Sequence, residues 1–168
     1  MNSSGSTEAP RRRTSLMCWF RAGDGLFAMD TTEIREVLRA QTPQHVPLAP
    51  DFVDGIVPYR GDVLTTLSFR VLLGMEKRHA ASYVLVLDDD NEERFGLAVD
   101  SVCGVVDVGW EDIGPVPANL DARSAAFIDG VCTTPAGLMA RLDPARLRPS
   151  RLAVSGLFTP CQRAGEQR

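Results

Sequence analysis

Two short stretches lying 75 residues apart constrain this fold more than any other feature of the chain. Phe52-Val53-Asp54-Gly55-Ile56 is echoed by Phe127-Ile128-Asp129-Gly130-Val131, and Gly61 by Gly137 at an offset of 76. A second echo precedes each of them: Ala28-Met29-Asp30 and Ala98-Val99-Asp100, at an offset of 70. Each half therefore carries an apolar strand end closed by an aspartate, then a Phe-x-Asp-Gly approach to a hairpin. A chain of 168 residues is one domain by size. The repeat predicts two related small barrels packed together. Gly55 and Gly130 are predicted to be structural, each relieving a tight stretch of backbone.

The local pattern agrees with an all-β chain. Leu16 to Arg21 and Leu26 to Met29 read as strands joined by Ala22-Gly23-Asp24-Gly25, a turn with two glycines. Tyr83 to Leu87 and Phe95 to Val99 read as two more, around the acidic run Asp88 to Glu93. Phe127 to Cys132 and Leu138 to Leu142 form a last hairpin around Pro135-Ala136-Gly137. Asp30-Thr31-Thr32-Glu33 resembles a capping box and is expected to start a short helical segment. Pro43, Pro47 and Pro50 hold the following stretch extended. Only Phe69 to Leu73 and Pro144 to Leu147 look helical otherwise. Many short strands with Gly and Pro turns point to barrels or sandwiches. Residues 1–14, rich in Ser, Gly, Pro and Arg, read as a disordered tail, 15–158 as the folded domain and 159–168 as a second tail.

Charge and cysteine usage narrow the function classes. The formal net charge of -4 argues against a nucleic-acid binder, and the few aromatics sit on apolar strands, not in a basic groove. No apolar run approaches the ~20 residues that span a bilayer. Leu16-Met17-Cys18-Trp19-Phe20, behind Arg11-Arg12-Arg13, is too short for a signal-peptide core, so cytoplasmic residence is the expectation. Cys18, Cys103, Cys132 and Cys161 form no C-x-x-C pair, and the first three stand in apolar strand contexts, which predicts buried free thiols.

No reaction centre emerges. His45 and His79 have no metal-ligand spacing to another His or Cys. Nucleophile-elbow and phosphate-loop motifs are absent. The acidic run Asp88 to Glu93 lacks the glycine and distal glutamate of an EF-hand loop and reads as a solvated hairpin tip. We therefore expect no enzyme, no metal and no cofactor. What does stand out is Arg60, set between apolar runs just before a Gly61-Asp62 pair read as the turn. An arginine at a strand end pairs with an acid or offers its fork to a partner. Glu36, within Ile34-Arg35-Glu36-Val37, is the acid expected to pair with it, bridging the helical segment and the hairpin near the surface. These residues fit a binding surface.

The same residues, in order, resemble the CheW family, adaptors that couple chemoreceptors to the histidine kinase CheA. The likeness runs through Ala28-Met29-Asp30, Ile34-Arg35-Glu36-Val37, Val46-Pro47-Leu48-Ala49-Pro50, Gly55-Ile56 and Arg60-Gly61. It continues through Phe95 to Val102 and Phe127 to Val131, and ends near Leu142-Asp143-Pro144-Ala145-Arg146-Leu147. The resemblance implies an all-β fold of two packed five-stranded, SH3-like barrels with a few short helices. It implies two partners: the helical hairpin tip of a methyl-accepting chemoreceptor, and the regulatory domain of a CheA-type kinase. Receptor binding would fall on Ile34, Glu36, Val37, Arg60, Val102 and Val105, around a groove between the barrels, although barrel core is an equal reading for any single valine. Kinase binding would fall on Gly61, Asp62, Val63 and Thr65. The chain would then sit in receptor arrays at the inner membrane without inserting into it. Four positions depart from the family pattern: Pro58-Tyr59 stands where Asn-Leu is common, and Thr65 and Ser68 where Pro and Asp are. The last two imply weakened kinase coupling. The alternative is therefore a receptor binder of a specialised pathway, such as gliding motility, that does not engage the kinase.

Overall fold

The computed structural model describes residues 12–77, 81–88 and 93–155. Most of both tails, His79, Cys161 and the centre of the acidic run lie outside the described residues. Eleven strands run in chain order: β1 (Thr14–Ala22), β2 (Gly25–Asp30), β3 (Ile34–Arg39), β4 (Val53–Tyr59), β5 (Asp62–Ser68), β6 (Tyr83–Asp88), β7 (Arg94–Val99), β8 (Ser101–Gly109), β9 (Ile113–Gly114), β10 (Ile128–Thr134) and β11 (Gly137–Leu142). Three short α-helices join them among the described residues: α1 (Phe69–Leu72), α2 (Ala122–Ala125) and α3 (Pro149–Val154). One sheet has the order β8-β1-β2-β11-β10-β9, the other β3-β6-β7-β5-β4.

The repeat explains these two orders, and adds something to them. Take β1–β2 as equivalent to β6–β7, β3 to β8, and β4–β5 to β10–β11. Both sheets then have the same order, and the bridge from Gln44 to Ile56 on β4 occupies the place that β9 holds beside β10. Each sheet thus takes its first hairpin from one repeat and its other strands from the second. The chain changes sheets between β2 and β3 and between β7 and β8, at Asp30 and Asp100, the two aspartates of the echoed strand ends. Asp100 accepts from the Gly23 N–H and from Arg70 Nη1, each at 2.7 Å, and so ties the β1–β2 turn to α1. Asp30 accepts from the hydroxyls of Ser15 and Thr32 and from the Thr32 N–H. Burial works against its charge, but these bonds outweigh it and hold the carboxyl below its ordinary range. The hairpins also set the equivalence at their tips. Tyr59 faces Asp62 as Thr134 faces Gly137, so Gly61 matches Ala136, and Gly137 matches Asp62, not Gly61.

Alternate residues of the strands are buried on both faces. On β6, Leu85 and Leu87 enter a core shared by the two sheets, while Val84 and Val86 enter a second core with Val57, Tyr59, Leu64 and Ala98. This second core draws only on its own sheet, so that sheet must curl around it, as a small barrel does. Met17, Ala28, Val108, Cys132 and Met139 do the same for the six-stranded sheet. In the shared core Phe69 of α1 meets Phe27 of β2 edge to face, with ring centroids 4.8 Å apart. The expected all-β fold of two small barrels is the observed one, the second carrying β9 as a two-residue addition.

One expectation holds for its first turn alone and two need correction. Asp30-Thr31-Thr32-Glu33 makes only a single 3-10 turn, Thr31–Glu33, before Ile34 enters β3. Local capping sets the turn, but the β-branched residues that follow pair with Leu85 and Leu87 on β6, and that pairing wins. Cys18 and Cys132 are buried free thiols, whereas Cys103 is exposed, at a bulge where β8 slips its register against β1. Helices α2 and α3 were not foreseen. Their signals, an Asp121 N-cap and Pro149 at the first turn, stood in the sequence, but four and six residues carry no helical period.

Candidate functional site

The turn of the β4–β5 hairpin consists of Arg60 and Gly61, not Gly61 and Asp62, which already opens β5. Both turn residues have positive φ, 50° and 84°, the condition for a two-residue turn that matches strand twist. Few non-glycine residues adopt this conformation. From the turn the Arg60 guanidinium carbon stands over the Tyr59 ring, 5.5 Å from its centroid. Arg60 Nη2 and Nε donate to Glu36 Oε2 at 2.9 and 3.3 Å, and the Tyr59 hydroxyl donates to the same oxygen at 2.8 Å. The expected Glu36–Arg60 pair is therefore present. It joins strand β3 to the hairpin, since the helical turn ends at Glu33 and Glu36 already lies on the strand. The Tyr59 hydroxyl, and after it the Arg60 guanidinium, holds the Glu36 carboxyl below its usual range, and Glu36 in turn raises Arg60.

The cross-strand register sorts the other candidates. Glu36 lies opposite Val86 and Leu38 opposite Val84, on the barrel side of β3. Ile34 and Val37 lie opposite Leu87 and Leu85, on the side of the shared core. Adjacent residues point to opposite faces of a strand, so Glu36 and Val37 belong to different faces. On β8, Val102 lies opposite Phe20 and packs against the shared core, and Val105 lies opposite Cys18 with 59% of its surface exposed. Leu16, on the Cys18 face of β1, extends this rim and is also exposed. Ile34 and Val37 on β3, with Val102 and Val105 on β8, thus make up the apolar, shared-core side of an edge strand in each sheet. The Glu36–Arg60 pair stands apart from it, at the end of one barrel. Strands β3 and β8 are each an edge of their sheet.

The hairpin residues form a second surface. Val63 is exposed, and Thr65, on the same face of β5, is half-buried. Asp62 accepts from the Val63 N–H through its own side chain, and Gly61 has open space around its α-carbon. The equivalent of Val63 in the other barrel, Leu138, is exposed to nearly the same degree. Ser68 is buried and caps α1, its Oγ accepting from the Val71 N–H at 3.4 Å. An aspartate there would do the same work, so this departure keeps the cap. Thr65 lies on β5 between β7 and β4, an interior strand, where a proline is disfavoured because it cannot donate to a ladder. Ser68→Ala is expected to lower stability by about 0.5–1 kcal/mol, the lower part of the range for lost caps, without changing partner binding. A urea titration beside a binding assay checks both.

Gly55 and Gly130 meet crossing backbone. A β-carbon on Gly55, whose φ is 145°, would stand 2.4 Å from the Gln44 carbonyl oxygen. One on Gly130 would stand 2.9 Å from the Gly114 carbonyl oxygen. In each barrel, then, a strap crosses at the glycine of the repeated Asp-Gly.

Sequence reasoning missed Tyr59 and Leu16. Tyr59 registered only as a departure from the family pattern, although a tyrosine next to the singled-out arginine was the available signal. Leu16 read as ordinary strand. Among the described residues, no group of three or more His, Cys, Asp or Glu is placed to hold a metal ion. Nor is any helix long and apolar enough to cross a membrane.

A family model described as the CheW-like domain matches residues 17–151. The chemotaxis protein CheW of Rhizobium meliloti is 32% identical over 114 residues, 67% of this chain and 73% of that protein. Protein FrzA of Myxococcus xanthus is 32% identical over 106 residues, 62% of this chain and 66% of that protein. The scaffolding protein TtCheW from Thermoanaerobacter tengcongensis superposes with a TM-score of 0.70, covering 78% of this chain and 90% of that one at 22% identity. At that identity the likeness is one of fold.

Proposed function

The chain belongs to the CheW family of chemotaxis proteins, and on that footing we propose that it is a non-enzymatic adaptor joining chemoreceptor tips to a CheA-type histidine kinase. The observation that supports this reading best is the apolar side that Ile34, Val37, Val102 and Val105 give to the edge strands β3 and β8, with the charged Glu36–Arg60 pair at the barrel end, on the other face of β3. An apolar centre with a polar flank is the anatomy of a protein interface. A receptor tip is a helical hairpin, and a helix laid along an apolar rim is a recurring mode of recognition. The hairpin surface of Gly61, Asp62, Val63 and Thr65 is then the contact for the kinase regulatory domain. Work in an array at the cytoplasmic face of the inner membrane follows from these partners.

The test is a pull-down with a receptor cytoplasmic fragment and a kinase regulatory domain, each alone and both together. A ternary complex supports the adaptor. Binding to the receptor alone supports the second reading, a receptor binder of a specialised motility pathway, which of the departures at Thr65 and Ser68 only the one at Thr65 still favours, since Ser68 keeps its cap. Binding to neither overturns both. Within this assay Arg60→Ala is expected to melt like the parent chain, because a pair this exposed contributes little to folding. Its receptor affinity should fall roughly tenfold, as for a desolvated interface arginine. Unchanged affinity would remove Arg60 from the interface.

A further inference from the structure

Tyr59 is nearly fully buried, yet its hydroxyl reaches the surface pair. It stands on β4, and Glu36 stands on β3. These strands are the two opposite edges of the five-stranded sheet. The bond from Tyr59 to Glu36 therefore joins the sheet edge to edge, at the end of the barrel where Arg60 turns the chain. Three donors converge on one carboxylate oxygen: the Tyr59 hydroxyl, Arg60 Nη2 and Arg60 Nε. Glu36 Oε1 and Arg60 Nη1 have no partner among the described residues.

We propose that Tyr59 is a positioning residue of the partner surface: its hydroxyl fixes the Glu36 carboxylate beside Arg60 and holds the pair in one orientation across the barrel closure. The proposal rests on the Glu36–Arg60 pair being a receptor contact. A carboxylate held only by an exposed arginine is free to rotate with it, and such pairs lose their order readily to water. A buried phenol does not move with the surface side chains, so its bond fixes Glu36 from the protein side. Oε1 and Nη1 are thereby left as one acceptor and one donor for a partner. The other charged groups near the site fit this division. Arg35, next to Glu36, is engaged by Asp88, and Arg94, which also stands over the Tyr59 ring, bonds the same Asp88. Neither is placed to do the work of the phenol.

Tyr59→Phe tests this, because it keeps the ring under the two guanidinium groups and removes one hydroxyl. Three readouts apply to the full chain. Titration of the Glu36 carboxyl by carbon NMR should show its pKa rising toward the ordinary value, a change that loss of packing alone would not produce. Affinity for the receptor cytoplasmic fragment should fall roughly three- to tenfold, the span of one net hydrogen bond. Amide exchange should quicken in β3 and the end of β4 and stay unchanged in β1 and β8. Arg60→Ala, measured alongside, separates the two ideas. If Arg60→Ala binds normally, the pair is not a receptor contact, whatever Tyr59 does to Glu36. If Arg60→Ala binds poorly while Tyr59→Phe binds like the parent, the positioning role is overturned, with or without a change in the Glu36 titration.

Discussion

A glutamate in place of Val105 is expected to remove receptor binding and leave the fold intact, whereas a glutamate in place of Val102 is expected to damage the fold itself. The two valines are three residues apart on one strand, and both face the shared core side of the sheet. Val105 is mostly exposed, so in the free protein a carboxylate there remains in water. It meets a cost only when an apolar partner covers it, and that cost is large because nothing on the rim neutralises it. Affinity should drop by roughly a hundredfold or more. Val102 packs against the cluster that holds Phe20, so the same charge must be desolvated on folding. A loss of about 2–4 kcal/mol of stability is expected. Calorimetric titration with the receptor fragment and a thermal melt of each variant decide the matter. If Val105→Glu binds like the parent, the rim is not the receptor surface. If both variants melt early, both valines are core.

The second large effect concerns the straps. Gly55→Ala is expected to cost about 2–4 kcal/mol. The new β-carbon would meet a backbone oxygen that cannot rotate away, and alanine must also adopt a φ of 145°. The Gln44 bridge to Ile56, with N···O distances of 2.8 and 3.0 Å, would have to part. Gly130→Ala should cost less, since its approach to Gly114 is looser and its φ is not in the left-handed range. Gly61→Ala should cost about 1 kcal/mol, for backbone conformation alone, because nothing lies within contact of the added carbon. Denaturant midpoints of the three variants give the order, and an equal loss in all three would show that the straps do not set it.

How much of this was legible in the sequence depends on how far apart the interacting residues are. The hairpins were legible, because Gly23, Pro135 and Gly137 act on their immediate neighbours. The repeat was visible as matching letters, and so two related units could be expected. Which strand joins which sheet could not be read, because β3 finds its partner on β6 some fifty residues later, and β1 finds β8 more than eighty residues later. The same distance explains why the helical turn stops at Ile34: the capping residues are local, while Leu85 and Leu87 are not. At the site, the pairing of Glu36 with Arg60 was legible from charge chemistry. That Tyr59 completes it was not, because only closure of the barrel brings β3 to β4.

The exchange of hairpins between repeats also fixes an order in time. Strands β3 to β7 are contiguous, from Ile34 to Val99, so every strand of one barrel has left the ribosome once that span has emerged. The other barrel is built from both ends of the chain. Its first hairpin, Thr14–Ala22 with Gly25–Asp30, is made first but must wait for Ser101–Gly109 and Gly137–Leu142 before either outer edge is paired. During that interval the apolar residues Phe20, Phe27 and Met29 have only the newly formed barrel to lie against. The shared core, which takes Phe20, Phe27 and Met29 from this hairpin and Leu85, Leu87 and Leu97 from the finished barrel, is what such a waiting hairpin requires. The seam between the barrels thus shelters the nascent chain before it becomes the core of the adaptor.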